Sequence, residues 1–191
     1  MKNTNHSLFD KYEMIKDLGT GSSGSVTLVR HISMDQERAL KKVPKASAFA
    51  ESALSEARLL KSLEHQSIPR IFDFEEDDAF YYIVEEYIDG ETLDSFLLHQ
   101  QLISPGLFFN ICEQLCNVFI YLHTQISTPI IYRDLKPEHI IVCHNKLKLI
   151  DFGVSAYVIQ DGNNFNHYGN IEFSAPECFT EDTITPAADI Y

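Results

Sequence analysis

The stretch "GTGSSGSVTLVRH" narrows the possible folds more than any other part of the sequence. Its glycines Gly19, Gly21 and Gly24 follow the pattern G-x-G-x-x-G, and the missing Cβ atoms let a backbone approach a polyphosphate closely. In a dinucleotide-binding fold that pattern opens a helix. Here it is preceded by "YEMIKDL" and followed by the β-branched "SVTLVRH", which predicts a strand, a Gly/Ser turn and a second strand. A flexible hairpin turn that binds nothing is the plainer reading of the same residues.

More β-structure follows. "QERALKKV" predicts a third strand, and "IPRIFDFEEDDAFYYIVEEYI" predicts two strands joined by an acidic turn. Between them "ASAFAESALSEARLLKSLE" has helical composition, with Leu54, Ala57, Leu60 and Leu63 at helical spacing. The texture changes at Gly90. "TLDSFLLHQ" predicts a short helix capped by Thr92, and "SPGLFFNICEQLCNVFIYLHTQ" a long one entered by Ser104 and Pro105. Phe108, Ile111, Leu115, Val118, Phe119 and Leu122 form one broad stripe on it, expected to be buried. "HIIVC" and "KLKLI" predict two short strands. The order is a sheet with one helix, a connection near Gly90, then a helical region.

Several charged residues sit where chemistry could use them. Lys41 in "ALKKV" has apolar neighbours and alternates with Lys42, so one points inward and the other outward. Glu56 on the following helix offers Lys41 a partner, though neighbouring charges often pair without function. Asp151 ends an apolar strand ahead of Phe152 and Gly153, a position suited to a metal carboxylate and equally to a turn. "IIYRDLKPEHIIV" sets Arg133 and Lys136 around Asp134, with His139 five residues beyond the aspartate.

Composition removes some alternatives. A net charge of −13 argues against nucleic acid and anionic membrane surfaces as partners. It leaves a phosphate ligand possible, since a few placed cations and N–H groups suffice. No apolar signal core or membrane-spanning run is visible. The four cysteines, Cys112, Cys116, Cys143 and Cys178, show no C-x-x-C pair and read as reduced thiols of a cytoplasmic protein.

Taken in order, these motifs resemble the protein kinase family, in its bacterial-type serine/threonine branch, from Tyr12 to the end of the chain. The resemblance implies an α+β, two-lobed fold: a tail over 1–11, a β-rich N-lobe over 12–88 and a partial, helical C-lobe over 89–191, cut short at the start of its central helix. It implies ATP between the lobes and transfer of its γ-phosphoryl group to protein hydroxyls. Gly19, Gly21 and Gly24 then resemble the phosphate-covering loop. Lys41 resembles the phosphate-binding lysine and Glu56 its partner. Leu18, Val26, Ala39 and Ile141 would enclose adenine, and Glu86 and Ile88 would offer it backbone groups. Asp134 resembles the carboxylate that receives the substrate proton, Lys136 the cation beside the transferred group, and Asp151 the principal Mg²⁺ ligand. Leu60, Ile71, Tyr132 and Phe152 would stack as an apolar spine. Asp189 matches the residue that anchors the catalytic-loop backbone.

The sequence departs from the family pattern in places. Tyr132 replaces a histidine. His139 replaces an asparagine that ligates Mg²⁺, which predicts a site weakened for Mg²⁺ and better suited to Mn²⁺. Asn170 replaces a threonine, and Glu85 stands at the position controlling the pocket behind adenine. Between Asp151 and Glu177 the hydroxyl residues are Ser155, Tyr157, Tyr168 and Ser174. The expected partner is a protein substrate, with self-association through the incomplete C-lobe. Two alternatives stay open: a nucleotide-binding pseudokinase or scaffold, favoured by His139 and Asn170, and an inactive domain fragment. A small-molecule kinase fits "DLKPE" and "SAPE" less well.

Overall fold

Five antiparallel strands form in the first half of the computed structural model, which describes residues 8–21, 24–99, 102–158, 172–180 and 184–191. They are β1 (Tyr12–Gly21), β2 (Gly24–His31), β3 (Gln36–Pro44), β4 (Ile71–Glu76) and β5 (Phe80–Glu86), in the order β1-β2-β3-β5-β4. The glycine-rich stretch closes the β1–β2 hairpin with Gly21 opposite Gly24, as the strand-like flanks require. Gly24 has φ +145°, and a Cβ there would lie 2.2 Å from the Lys42 carbonyl oxygen, so only glycine fits.

Alternation divides this sheet into two faces. On one, Val43 and Ile83 pack with Ala53 and Ala57 of α2 (Ala50–Ser62). Lys41 pairs with Val26 and Ile83, and Ala39 pairs with Leu28 and Glu85, so all of these side chains share the α2 face. On the other, Tyr12, Val29, Leu40, Tyr82 and Val84 form a core closed by Leu8, which is fully buried. Leu8 belongs to α1 (Leu8–Lys11), a short helix inside the expected tail. It is tied down by the Leu8 N–H, which donates to Glu75 Oε2 at 2.8 Å, and by Lys11 Nζ, 2.8 Å from Asp73 Oδ2. Lys42, pointing to this second face, stands 4.0 Å over the Phe80 ring.

The chain divides into two compact units. The first runs up to Leu63 and includes Arg70–Tyr87; the second comprises Glu64–Pro69 and Ile88–Tyr191. In the second, β6 (Glu91–Thr92) joins α3 (Leu93–His99), and α4 (Pro105–Ile120) follows. Ser104 caps α4, its hydroxyl accepting from the Leu107 N–H at 3.2 Å, with Pro105 in the first turn. A wider π-type turn, Tyr121–Gln125, ends the helix. Next come β7 (Ile130–Ile131), β8 (Ile140–Cys143), β9 (Lys146–Leu149) and β10 (Ala156–Tyr157). They form a β6-β8-β9 sheet and a β7–β10 pair, and α5 (Glu177–Thr180) lies near the end of the chain.

The expected stripe on α4 is covered in only one half. Val118, Phe119 and Leu122 are buried, whereas Phe108 is 53% exposed. Apolar periodicity identifies the face of a helix but not what lies on it.

The connection at Gly90 is tight. A Cβ there would meet the Val142 carbonyl oxygen at 2.4 Å, a backbone atom that cannot step aside. Gly90→Ala is expected to destabilise the second unit by about 1–3 kcal/mol, the usual range for overpacking. An unchanged urea midpoint would contradict this.

Candidate active site

In the first unit, Lys41 Nζ lies 2.7 Å from Glu56 Oε2, with side-chain exposures of 18% and 9%. Strand alternation turns Lys41 toward α2, and α2 presents Glu56 from its buried side. Gly19 and Gly21 have open space where a side chain would stand. Leu18 is 40% exposed, Val26 is half-buried and Ala39 is buried. The Glu86 N–H is used inside the sheet, donating to the Arg70 carbonyl at 2.9 Å, and the Ile88 carbonyl accepts from the Gly90 N–H at 3.0 Å.

In the second unit, the segment between β7 and β8 is shaped from beneath by Asp189, which is 3% exposed. Its carboxylate accepts from the Tyr132 N–H at 2.8 Å and the Arg133 N–H at 2.7 Å, and it meets His123 Nε2 at 2.9 Å. These bonds support Arg133 in the left-handed region, at φ 75°, a conformation costing roughly 1–2 kcal/mol for a side chain of this kind. Burial pulls the Arg133 guanidinium below its ordinary pKa, against the opposing influence of Cys178 and the Asp189 carboxylate. Tyr132 is fully buried, stacks edge-on against Phe152 at 5.0 Å between ring centres, and donates its hydroxyl proton to the Ile150 carbonyl.

Asp134 stands above this support. Lys136 Nζ donates to its Oδ2 at 3.0 Å, and His139 Nδ1 lies 3.3 Å from the same oxygen. On its other side, His139 Nε2 lies 3.4 Å from Asp151 Oδ2. His139 therefore stands between the two carboxylates, 12% exposed. Asp151 is also left-handed, at φ 61°, with Oδ1 accepting from the Gly153 N–H at 3.3 Å. Ile141, the half-buried second residue of β8, follows from the same short turn that carries His139.

Asp134, Lys136, His139 and Asp151 lie together in the second unit, and Lys41 lies with Glu56 in the first. Sequence reasoning missed two supports: His123, bound to Asp189, and Ser155, whose hydroxyl donates to the Tyr132 carbonyl at 3.2 Å. "YLHTQ" and "FGVSA" contain both, but neither carries a signal without its partner. Tyr168 and Asn170 lie outside the described residues.

The donor set fits a divalent cation. Asp151 Oδ2 faces the His139 imidazole, and the Asp151 side chain is 54% exposed. Magnesium is commonly held by one or two carboxylates with substrate phosphates and water filling the rest. Among the described residues no group of three or more His, Cys, Asp or Glu side chains forms a metal cluster, so such an ion would take ligands from outside the protein.

Comparison with known proteins adds a family. The protein kinase domain model matches residues 12–191. The serine/threonine-protein kinase PrkC of Bacillus subtilis is 30% identical over 190 residues, covering 95% of this chain and 28% of that protein. The serine/threonine-protein kinase ppk25 of Schizosaccharomyces pombe is 32% identical over 182 residues, covering 92% of this chain and 42% of its own length. The serine/threonine-protein kinase pkn2 of Myxococcus xanthus is 28% identical over 194 residues, covering 95% and 23% respectively. The chain therefore spans less than half the length of these relatives.

Proposed function

The chain belongs to the protein kinase family, and from that premise we propose that it transfers the γ-phosphoryl group of ATP to serine or threonine hydroxyls of proteins. The observation that carries this is the catalytic loop: Asp134 beside Lys136 at 3.0 Å, on a backbone held by Asp189. The substrate hydroxyl oxygen attacks the γ-phosphorus, the bond to the β-bridging oxygen breaks, ADP leaves, and the hydroxyl proton passes to Asp134. Lys136 balances charge beside the transferred group, and Lys41, oriented by Glu56, holds the α- and β-phosphates. Leu18, Gly19, Gly21, Gly24, Val26, Ala39, Glu86, Ile88 and Ile141 bind the nucleotide. Asp151 and His139 hold the cation, Mg²⁺ with Mn²⁺ also accepted, whose chemistry is to neutralise phosphate charge. The site needs positioned charge, not a covalent nucleophile.

A cytoplasmic setting is part of the proposal and is supported by the free thiols of Cys112, Cys116, Cys143 and Cys178. Among the described residues no helix is long and apolar enough to cross a membrane. Self-association is also part of it, supported by the exposure of Phe108 at 53% and Phe109 at 67% on α4.

One observation favours a second reading, a nucleotide-binding scaffold without turnover: His139 stands within 3.4 Å of both carboxylates. Phosphoamino-acid analysis separates the readings. After incubation with γ-labelled ATP and a basic protein mixture, label on serine or threonine is expected. Label on tyrosine alone would overturn the serine/threonine assignment. No label, with ATP bound in a titration, would establish the scaffold.

A further inference from the structure

The strand that leads to Asp151 is the outer strand of its sheet, and its buried backbone groups need partners on the open side. In the order β6-β8-β9, β9 pairs on one side with β8. On the other side the fully buried Leu149 donates its N–H to the Ser67 carbonyl at 2.8 Å. Beside it, Lys148 Nζ donates to the Ile68 carbonyl at 3.3 Å. The segment Glu64–Pro69, which belongs to the second unit, thus takes the place of a further strand. Asp151 follows two residues after Leu149, at φ 61°.

His65 places the Ser67 peptide. Its carbonyl accepts from the Ile68 N–H at 3.1 Å, and its Nδ1 accepts from the Ser67 N–H, also at 3.1 Å. A peptide N–H can only donate, so Nδ1 must offer a lone pair, and the neutral ring carries its hydrogen on Nε2. A second proton, on Nδ1, would set N–H against N–H and break the bond. The ring is stacked on Tyr121 at 5.1 Å between ring centres, and the Tyr121 hydroxyl oxygen accepts from the Glu64 N–H at 2.8 Å. The Lys148 charge reaches the ring from β9, and Glu64, the neighbouring residue of its own segment, is exposed. Burial first, and then the Lys148 charge, hold the imidazole below its ordinary pKa.

We propose that His65 is a positioning residue: through the Ser67 peptide its neutral imidazole holds the strand that leads to Asp151, so that acid loosens the placement of Asp151. This deepens the kinase reading, on which it rests for the role of Asp151. Because the neutral ring makes the bond, the hold is complete above the ordinary histidine value of about 6.5 and is lost below it.

The test is the pH profile of kcat for the parent chain, His65→Asn and His65→Ala. An asparagine side chain bonds the N–H two residues on and does not titrate, so His65→Asn restores the bond without its acid sensitivity. Both variants lose the Tyr121 stack, so the difference between them reports the bond. At pH 7.5 His65→Asn is expected within about threefold of the parent, and His65→Ala about tenfold or more below it, a loss typical of a displaced reacting group. The kcat ratio of parent to His65→Asn should fall by about twofold or more between pH 7.5 and 5.0, since the effects of acid on ATP and on other groups cancel in that ratio. A constant ratio, or a fully active His65→Ala, overturns the proposal. Two readouts need no phosphotransfer. ¹⁵N-histidine NMR of the parent at pH 7.5 should show His65 protonated on Nε2; a hydrogen on Nδ1 overturns the proposal whether or not the variants fold. Amide-exchange protection of Ser67 and Leu149 should survive in His65→Asn and fall in His65→Ala; equal protection in both overturns it. If these two readouts come out as expected in a chain that transfers no phosphoryl group, the hold of His65 on β9 stands and the kinase reading falls.

Discussion

Asp189→Ala is expected to lower the stability of the second unit by about 3–5 kcal/mol and to abolish phosphotransfer. The Asp189 side chain is fully buried and meets the Tyr132 and Arg133 N–H groups at 2.8 and 2.7 Å. Each buried donor left without an acceptor costs roughly 1–3 kcal/mol. His123 loses its partner as well. Without those bonds Arg133 at φ 75° loses its Asp189 support, and Asp134, the next residue, shifts with it. Asp189→Asn is the finer test. It retains one acceptor oxygen, so one backbone bond survives and the loss of stability should be about half as large. A melt of Asp189→Ala within about 0.5 kcal/mol of the parent, the range for neutral surface changes, would contradict this account.

Lys41→Met is expected to reduce phosphotransfer by roughly 10²–10³-fold, the range seen when one positioned charge-stabilising donor is removed. The substitution keeps the side-chain length and removes the charge. It also removes the cation that pairs at 2.7 Å with Glu56, whose side chain is 9% exposed. Lys41→Arg separates charge from shape. It restores a cation but not a compact one, so activity should return only in part. Steady-state rates with γ-labelled ATP measure both. Full activity in Lys41→Met would remove the phosphate-binding role from this lysine.

Local patterns made much of the fold legible. In "ALKKV" the two-residue period separates Lys41 from Lys42, and the sheet carries the two lysines on opposite faces. The flanks of the glycine triad rule out a helix, and a hairpin forms. Leu8–Lys11 was not legible, because a four-residue helix has no periodicity and is held by Asp73 and Glu75, far along the chain. Phe108 was misplaced as buried for a related reason: its stripe is real, but covering it depends on other elements.

The site divides in the same way. Asp134, Lys136 and Asp151 stand out through their motifs. His139 stands out because it breaks one. Its placement between two carboxylates depends on Asp134 and Asp151 closing around it from separate stretches of the chain. His123 and Ser155 act through the backbone of other residues, and one-dimensional spacing carries no trace of that.

The most direct test of the central claim is single-turnover phosphoryl transfer from γ-labelled ATP, comparing the parent chain with Asp134→Ala and Asp151→Ala at matched folding. Transfer in the parent, lost in both variants while each still melts cooperatively, is the predicted result. Transfer that persists in either variant, or a folded parent that transfers nothing with Mg²⁺ or Mn²⁺, would contradict the assignment of this loop to catalysis.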